Sequence, residues 1–215
     1  VLSSDEKEEG VAVVDIGGGV TDVAVYYRGV PRYVATIPMG ASAINRDIRS
    51  QSIPEKHVES LKCKYGSAVA ELAPEDKLIR VSGRTAREAK DILLRNLATV
   101  IEARATDIVE FVQQEIRDSG YAGRLAYGIV LTGGSALMQG MIELGEDIFL
   151  KPVRVAEPQY NGPLADMVTQ PRASVVMGML EDARLAQQRG YASTRKSTGR
   201  NNWLARLKEF IVGNF

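Results

Sequence analysis

The chain has 215 residues, 27 basic and 27 acidic side chains, 45% hydrophobic residues and one cysteine. That length holds one large or two small domains with an ordinary globular core, and the balanced charge gives no global field toward nucleic acid or an acidic partner. Cys63 alone excludes an internal disulfide framework and fits a reducing compartment, and no apolar run of about 18 residues is present to cross a membrane.

Residues 1–10, VLSSDEKEEG, have neither a basic start nor an apolar signal core and read as a solvated lead-in at the cut edge of a longer chain. Residues 11–38 then hold three β-branched runs, VAVVDI, VTDVAVYY and YVATIP, separated by GGG and RGVP, which predict an antiparallel meander. In residues 40–53, GASAINRDIRSQSI places Ala43, Ile44, Asp47 and Ile48 at helical spacing and stops before Pro54. Residues 54–85 weaken into one short helix within EKHVESLKCKYGSAV, a polar stretch and a strand at KLIRVSG, the pattern of a small inserted subdomain. Residues 87–120 keep Ile92, Leu93, Leu97, Val100, Ile101, Ile108, Val109, Val112 and Ile116 near one stripe and predict a long helix closed by Gly120. A strand at LAYGIVLTGG, a helix at ALMQGMIELGEDIF, a strand at KPVRVAEP and a helix at RASVVMGMLEDARLAQQ follow. This alternation implies parallel neighbours and an α/β layer architecture.

Two glycine-rich strand ends carry the chemistry. Gly17, Gly18 and Gly19 give a loop longer than a plain hairpin needs, and backbone N–H groups without Cβ atoms let a phosphate approach closely. Asp15, ending the preceding strand, would orient a hydrated divalent cation, Thr21 would add a hydroxyl donor and Asp22 would orient the loop or metal water. A glycine-rich hairpin with capping acids fits the same residues. The second strand ends in Thr132, Gly133 and Gly134, with Ser135 expected as the N-cap of the next helix, which would favour a negative group. A plain strand-to-helix connection also fits, but two such ends in one α/β layer suit a ligand at the carboxyl edge of the sheet.

At the other end, RGYASTRKSTGRNN reads as a flexible basic linker. The segment NWLARLKEFIVGNF then puts Trp203, Leu204, Leu207, Phe210 and Ile211 on one face. Such a helix suits the surface of an anionic bilayer, or packs on its own domain. His57 has no Cys or His companion at ligand spacing and reads as a surface helix residue. Cys63 reads as buried or half-buried, since no activating base is indicated.

These segments resemble the actin, Hsp70 and hexokinase ATPase superfamily and, within it, the bacterial cell-division FtsA family. VVDIGGGVTDVAVY is similar to the second phosphate motif and GIVLTGGSALMQGM to the adenosine motif. HVESLKCKYGSA resembles the helix whose Glu-x-x-Lys pattern meets the adenine and ribose, ASVVMGML resembles the closing connection, and IPMGASAINRDI with VESLKCKYGSA points to FtsA over its near alternatives MreB and PilM. Val20 departs from the commoner GGGTTD form and removes one hydroxyl.

The resemblance covers about residues 8–188. It implies an actin-like, ribonuclease H-like half with a mixed five-stranded sheet, helices on both faces and a small inserted α+β subdomain. Subdomain IIA would comprise residues 11–53 and 86–189, and subdomain IIB residues 54–85 with part of the following helix. A linker at 190–201 and a membrane-targeting helix at 202–215 would complete it. ATP would contact Gly17, Gly18, Gly19, Thr21, Glu59, Lys62, Gly133, Gly134, Ser135 and Met138, with Mg²⁺ held through water by Asp15. The implied role is to anchor filaments of the tubulin-like FtsZ, through its tail peptide, to the cytoplasmic face of the inner membrane at the division septum. Turnover is slow at most, self-association belongs to the full-length protein, and no nucleic acid is bound. The family's N-terminal half is absent from these residues, so this chain alone is expected to bind ATP weakly or not at all. A sugar or acetate kinase would need that half, and a chaperone-type ATPase a β-rich domain after residue 190.

Overall fold

Three stiff, β-branched runs pair in the order in which they leave the chain. A computed structural model describes residues 1–81 and 89–188. In it β1 (Val11–Ile16), β2 (Thr21–Tyr27) and β3 (Val30–Ile37) form the antiparallel meander, with Val14 opposite Val23 and Asp15 opposite Asp22. β6 (Ile129–Thr132) joins β1 in parallel, setting Asp15 beside Thr132, and β7 (Val153–Val155) joins β6 in parallel. The result is a mixed five-stranded sheet in the order β3-β2-β1-β6-β7. All four residues of β6 are buried, as a strand covered on both faces requires.

Alternation along β1 and β2 sorts the core. Ala12, Val14, Ile16, Val23 and Val25 enter the main cluster, whereas Val11 joins Val130 and Ala156 in a smaller one. The main cluster is closed by α2 (Ala41–Ser50), α4 (Leu94–Asp118) and α5 (Met141–Phe149). Along α4, Leu97, Ile101, Ile108, Val109, Val112 and Ile116 are buried, and Tyr33 of β3 reaches Glu115 of the same helix with a 2.5 Å hydrogen bond. Two units divide the chain, Val1–Val175 and Val176–Phe215. The first holds the whole sheet, and the described part of the second, residues 176–188, belongs to α7 (Ser174–Gln188).

Three elements differ from the sequence reading. Residues 4–9 form a helix, α1 (Ser4–Glu9): Ser3 Oγ accepts from the Glu6 amide and Glu6 Oε2 accepts from the Ser3 amide, a capping box. Glu6 is buried and takes Arg154 Nε at 2.9 Å, so this helix docks on β7 rather than trailing as a solvated lead-in. The long helix starts at Leu94, not near Arg87. Before it, β5 (Lys90–Leu93) pairs antiparallel with β4 (Leu78–Val81), Ile92 opposite Ile79. Both isoleucines are buried, and a short segment such as Lys90–Leu93, with only Ile92 and Leu93 apolar, satisfies a helical stripe or a strand equally until its partner is known. With α3 (Glu55–Tyr65), this hairpin makes up the small inserted region.

The third difference follows β6. Ser135 does not cap an α-helix: Gly134–Leu137 is a single 3-10 turn, and α5 begins at Met141 after Gly140, which has φ 78°. A short α6 (Ala165–Val168) and a 3-10 turn at Pro171–Ala173 lead into α7.

Candidate functional site

β1 and β6 run parallel, so their carboxyl ends, Ile16 and Thr132, meet at one edge of the sheet. Directly beyond them is a cavity of about 650 Å³, within the usual range for small-molecule and cofactor sites. Gly17 and Gly18 form one wall, and Gly134, Ser135 and Met138 another. Asn45 of α2 and Glu59, Lys62 and Cys63 of α3 close the side facing the inserted region.

The glycine loop is fixed from behind. Ala41 and Ser42 donate their amides to the carbonyls of Gly17 and Gly18 at 3.0 and 2.7 Å, so the first turn of α2 is latched to the loop. That approach needs Gly40, where a Cβ would come within 2.6 Å of the Gly17 carbonyl oxygen. On the opposite side, Gly18 and Gly19 have open space where side chains would stand. Among the described residues their amides meet no backbone acceptor. Gly134 is equally open. Gly133 is the packing glycine of this pair, with φ 85° and a Cβ position only 2.6 Å from the Ile16 carbonyl oxygen. Its amide donates to Pro171 at 3.1 Å.

The electrostatics are concentrated on α3. Lys62 is buried except for 8% of its side chain and donates to Glu59 Oε2 at 2.8 Å. The same oxygen accepts from Asn45 Nδ2 at 2.6 Å, and Glu59 Oε1 accepts from Cys63 Sγ at 3.3 Å. The Lys62 hydrogen bond, acting against partial burial and aided by Asn45 and Cys63, lowers the Glu59 carboxyl to about 2. Cys63 is exposed rather than buried, and desolvation followed by Glu59 raises its thiol. Asp15 is half-buried at the end of β1, where burial and then the charge of Asp22 raise its carboxyl.

Of the residues singled out by sequence, Gly17, Gly18, Glu59, Lys62, Gly134, Ser135 and Met138 line the cavity. Gly19 continues the loop, while Asp15 and Gly133 stand behind the lining. Thr21 does not reach it: the residue is fully buried and its hydroxyl donates to the Met39 carbonyl at 2.8 Å. Asp22 is exposed and accepts from Thr36. His57 is half-buried, with Nε2 unpartnered. Trp203, Leu204, Leu207, Phe210 and Ile211 lie outside the described residues. Sequence reasoning missed Asn45 and Arg172, which also line the cavity. Asn45, on the polar side of α2, carried a signal only once α3 was placed against that helix.

Loop amides without backbone acceptors at one strand end, an open glycine turn at the other, a buried ammonium and a carboxylate around one cavity suit a phosphorylated ligand with hydrogen-bonding groups at its other end. The architecture agrees with solved structures. MreB5 of Spiroplasma citri bound to ADP superposes with a TM-score of 0.67 at 20% identity, over 86% of this chain and 57% of that one. A PilM–PilN type IV pilus biogenesis complex gives 0.59 at 15% identity, over 83% and 47%. Fold and site together define an actin-like α/β protein.

The family model described as cell division protein FtsA matches residues 12–178. FtsA of Neisseria meningitidis is 38% identical over 221 residues, and that of Pseudomonas aeruginosa 36% over 222, each covering 100% of this chain and 53% of the relative. FtsA of Escherichia coli is 32% identical over 225 residues, 100% of this chain and 54% of that protein. The chain belongs to the FtsA family of cell-division proteins. It spans about half the length of the curated relatives it matches.

Proposed function

We propose that this chain provides one face of an ATP site in a protein that anchors FtsZ filaments to the cytoplasmic face of the inner membrane at the division septum. The observation that carries the nucleotide reading is the convergence of Gly17, Gly18, Gly134 and the Glu59–Lys62 pair on one cavity, inside the segment that matches the family. In this reading the loop and turn amides face the phosphates, Glu59 and Lys62 face the adenosine, and Met138 and Ser135 contact the nucleotide from the wall they share with Gly134. Asp15 would hold Mg²⁺ through water, and the ion would offset the negative charge of the phosphates. Bound ATP supplies a negatively charged bridge between this face and the other half of the full-length protein. The role is conformational, with slow hydrolysis at most.

Residues 54–85, which hold α3 and β4, are the proposed seat of the FtsZ tail peptide. The segment bearing Trp203, Leu204, Leu207, Phe210 and Ile211 is the proposed anionic-membrane anchor. Self-association is assigned to the full-length protein.

Co-sedimentation of the full-length protein with anionic vesicles, with and without FtsZ, tests the tether. Retention of FtsZ by wild type, and loss of vesicle binding by Trp203→Glu with Phe210→Glu, is the expected result. A protein that stays in the supernatant and ignores FtsZ contradicts the reading.

A further inference from the structure

Asn45 and the glycine loop are joined by a short, continuous path. One turn before Asn45, the amides of Ala41 and Ser42 are latched to the Gly17 and Gly18 carbonyls. Asn45 itself donates to Glu59 Oε2 at 2.6 Å, on the oxygen that also receives Lys62. We infer that Asn45 is the positioning residue of the Glu59–Lys62 pair, fixing that pair relative to the glycine loop through α2. The two walls of the cavity thereby keep a set distance, which a ligand touching both requires.

Apolar packing of Ile44 and Ile48 with Val58 and Leu61 brings the two helices together, but few other polar contacts fix the pair itself. Lys62 lies on the same helix as Glu59, three residues on, and cannot register α3 against α2. Cys63, also on α3, is a weak donor at 3.3 Å. The other α2–α3 pair, Arg49 with Glu55, has more than half of both side chains exposed, where ion pairs are screened and weak. Lys64 and Arg172 line the cavity but make no ion pair with Glu59 among the described residues.

The consequence for ligand binding rests on the nucleotide reading; the positioning itself does not. In the full-length protein, Asn45→Ala and the isosteric Asn45→Asp are compared with wild type by ¹³C titration of Glu59, assigned with Glu59→Gln, and by Mg-ATP affinity. Thermal unfolding checks that each variant is folded. Both variants move the Glu59 titration upward, because one donor to the carboxylate is lost or replaced by a like charge. Mg-ATP affinity falls about tenfold in Asn45→Ala, the scale of a hydrogen bond to a charged group. Asn45→Asp binds worst near pH 8 and recovers as the pH falls toward about 5, since a protonated aspartic acid donates again. A purely structural asparagine would give no such recovery. An unchanged Glu59 titration in both folded variants overturns the proposal. If wild type binds no Mg-ATP while the titration shifts, the nucleotide reading fails and the positioning role stands.

Discussion

Lys62, with 8% of its side chain exposed, donates to Glu59 Oε2 at 2.8 Å, whereas Glu59 keeps 62% of its own side chain in solvent. A buried ammonium is tolerated because it is paired, and the pair places both charges on the wall of the cavity. Glu59 is lowered to about 2 in the folded chain, first by Lys62. A carboxylate depressed on folding adds stability above its unfolded pKa and loses it as pH falls through the folded value. Stability is therefore expected to decline from about pH 4.5 toward about pH 2, modestly because Glu59 is screened. Glu59→Gln flattens this limb of a pH-dependent denaturation series.

Arg154 holds a buried acid. Glu6 is 7% exposed and takes Arg154 Nε at 2.9 Å. Arg154→Ala leaves that carboxylate without its cation and is expected to cost about 1–3 kcal/mol. Denaturant unfolding measures the loss, and Glu6→Gln with Arg154→Ala restores part of it.

Gly133 is required twice over, by its φ of 85° and by the 2.6 Å that would separate a Cβ from the Ile16 carbonyl oxygen. Gly133→Ala is expected to destabilise by about 1–3 kcal/mol or more. Gly134→Ala meets open space, so it leaves stability nearly unchanged and lowers Mg-ATP affinity. Comparing the melting temperatures and affinities of the two variants separates packing from binding.

Cys63 reports on the cavity. Its thiol is exposed, lines the wall and is raised by desolvation and then by Glu59. Alkylation at neutral pH is expected to be slower than for a free thiol and to accelerate with rising pH. In the full-length protein, Mg-ATP slows it further; mass-spectrometric rates at Cys63 give the answer.

The meander, α2 and the strand–turn ends of β1 and β6 were legible because β-branched alternation and glycine are local signals. Alternation also held the sign of Thr21, which shares the buried face of β2 with Val23 and Val25. Its hydroxyl serves Met39 rather than a ligand for that reason. The Ser3-x-x-Glu6 capping box of α1 was present in the residues, but its docking depends on Arg154, 148 positions away. Ile92 and Leu93 fit two periods at once, and only β4 decides between them. Ser135 was expected to cap a helix that starts six residues later, because Gly140 can adopt φ 78° and a 3-10 turn fills the gap. Asn45 depends on the packing of α2 against α3, which no local pattern encodes.

The most direct measurement is Mg-ATP binding by the full-length protein, followed by calorimetry, for wild type, Lys62→Ala and Gly134→Val. Saturable binding to wild type, weakened at least about tenfold in both folded variants, is the predicted result. Binding that is absent from wild type, or equal in all three, contradicts the assignment of this cavity to nucleotide.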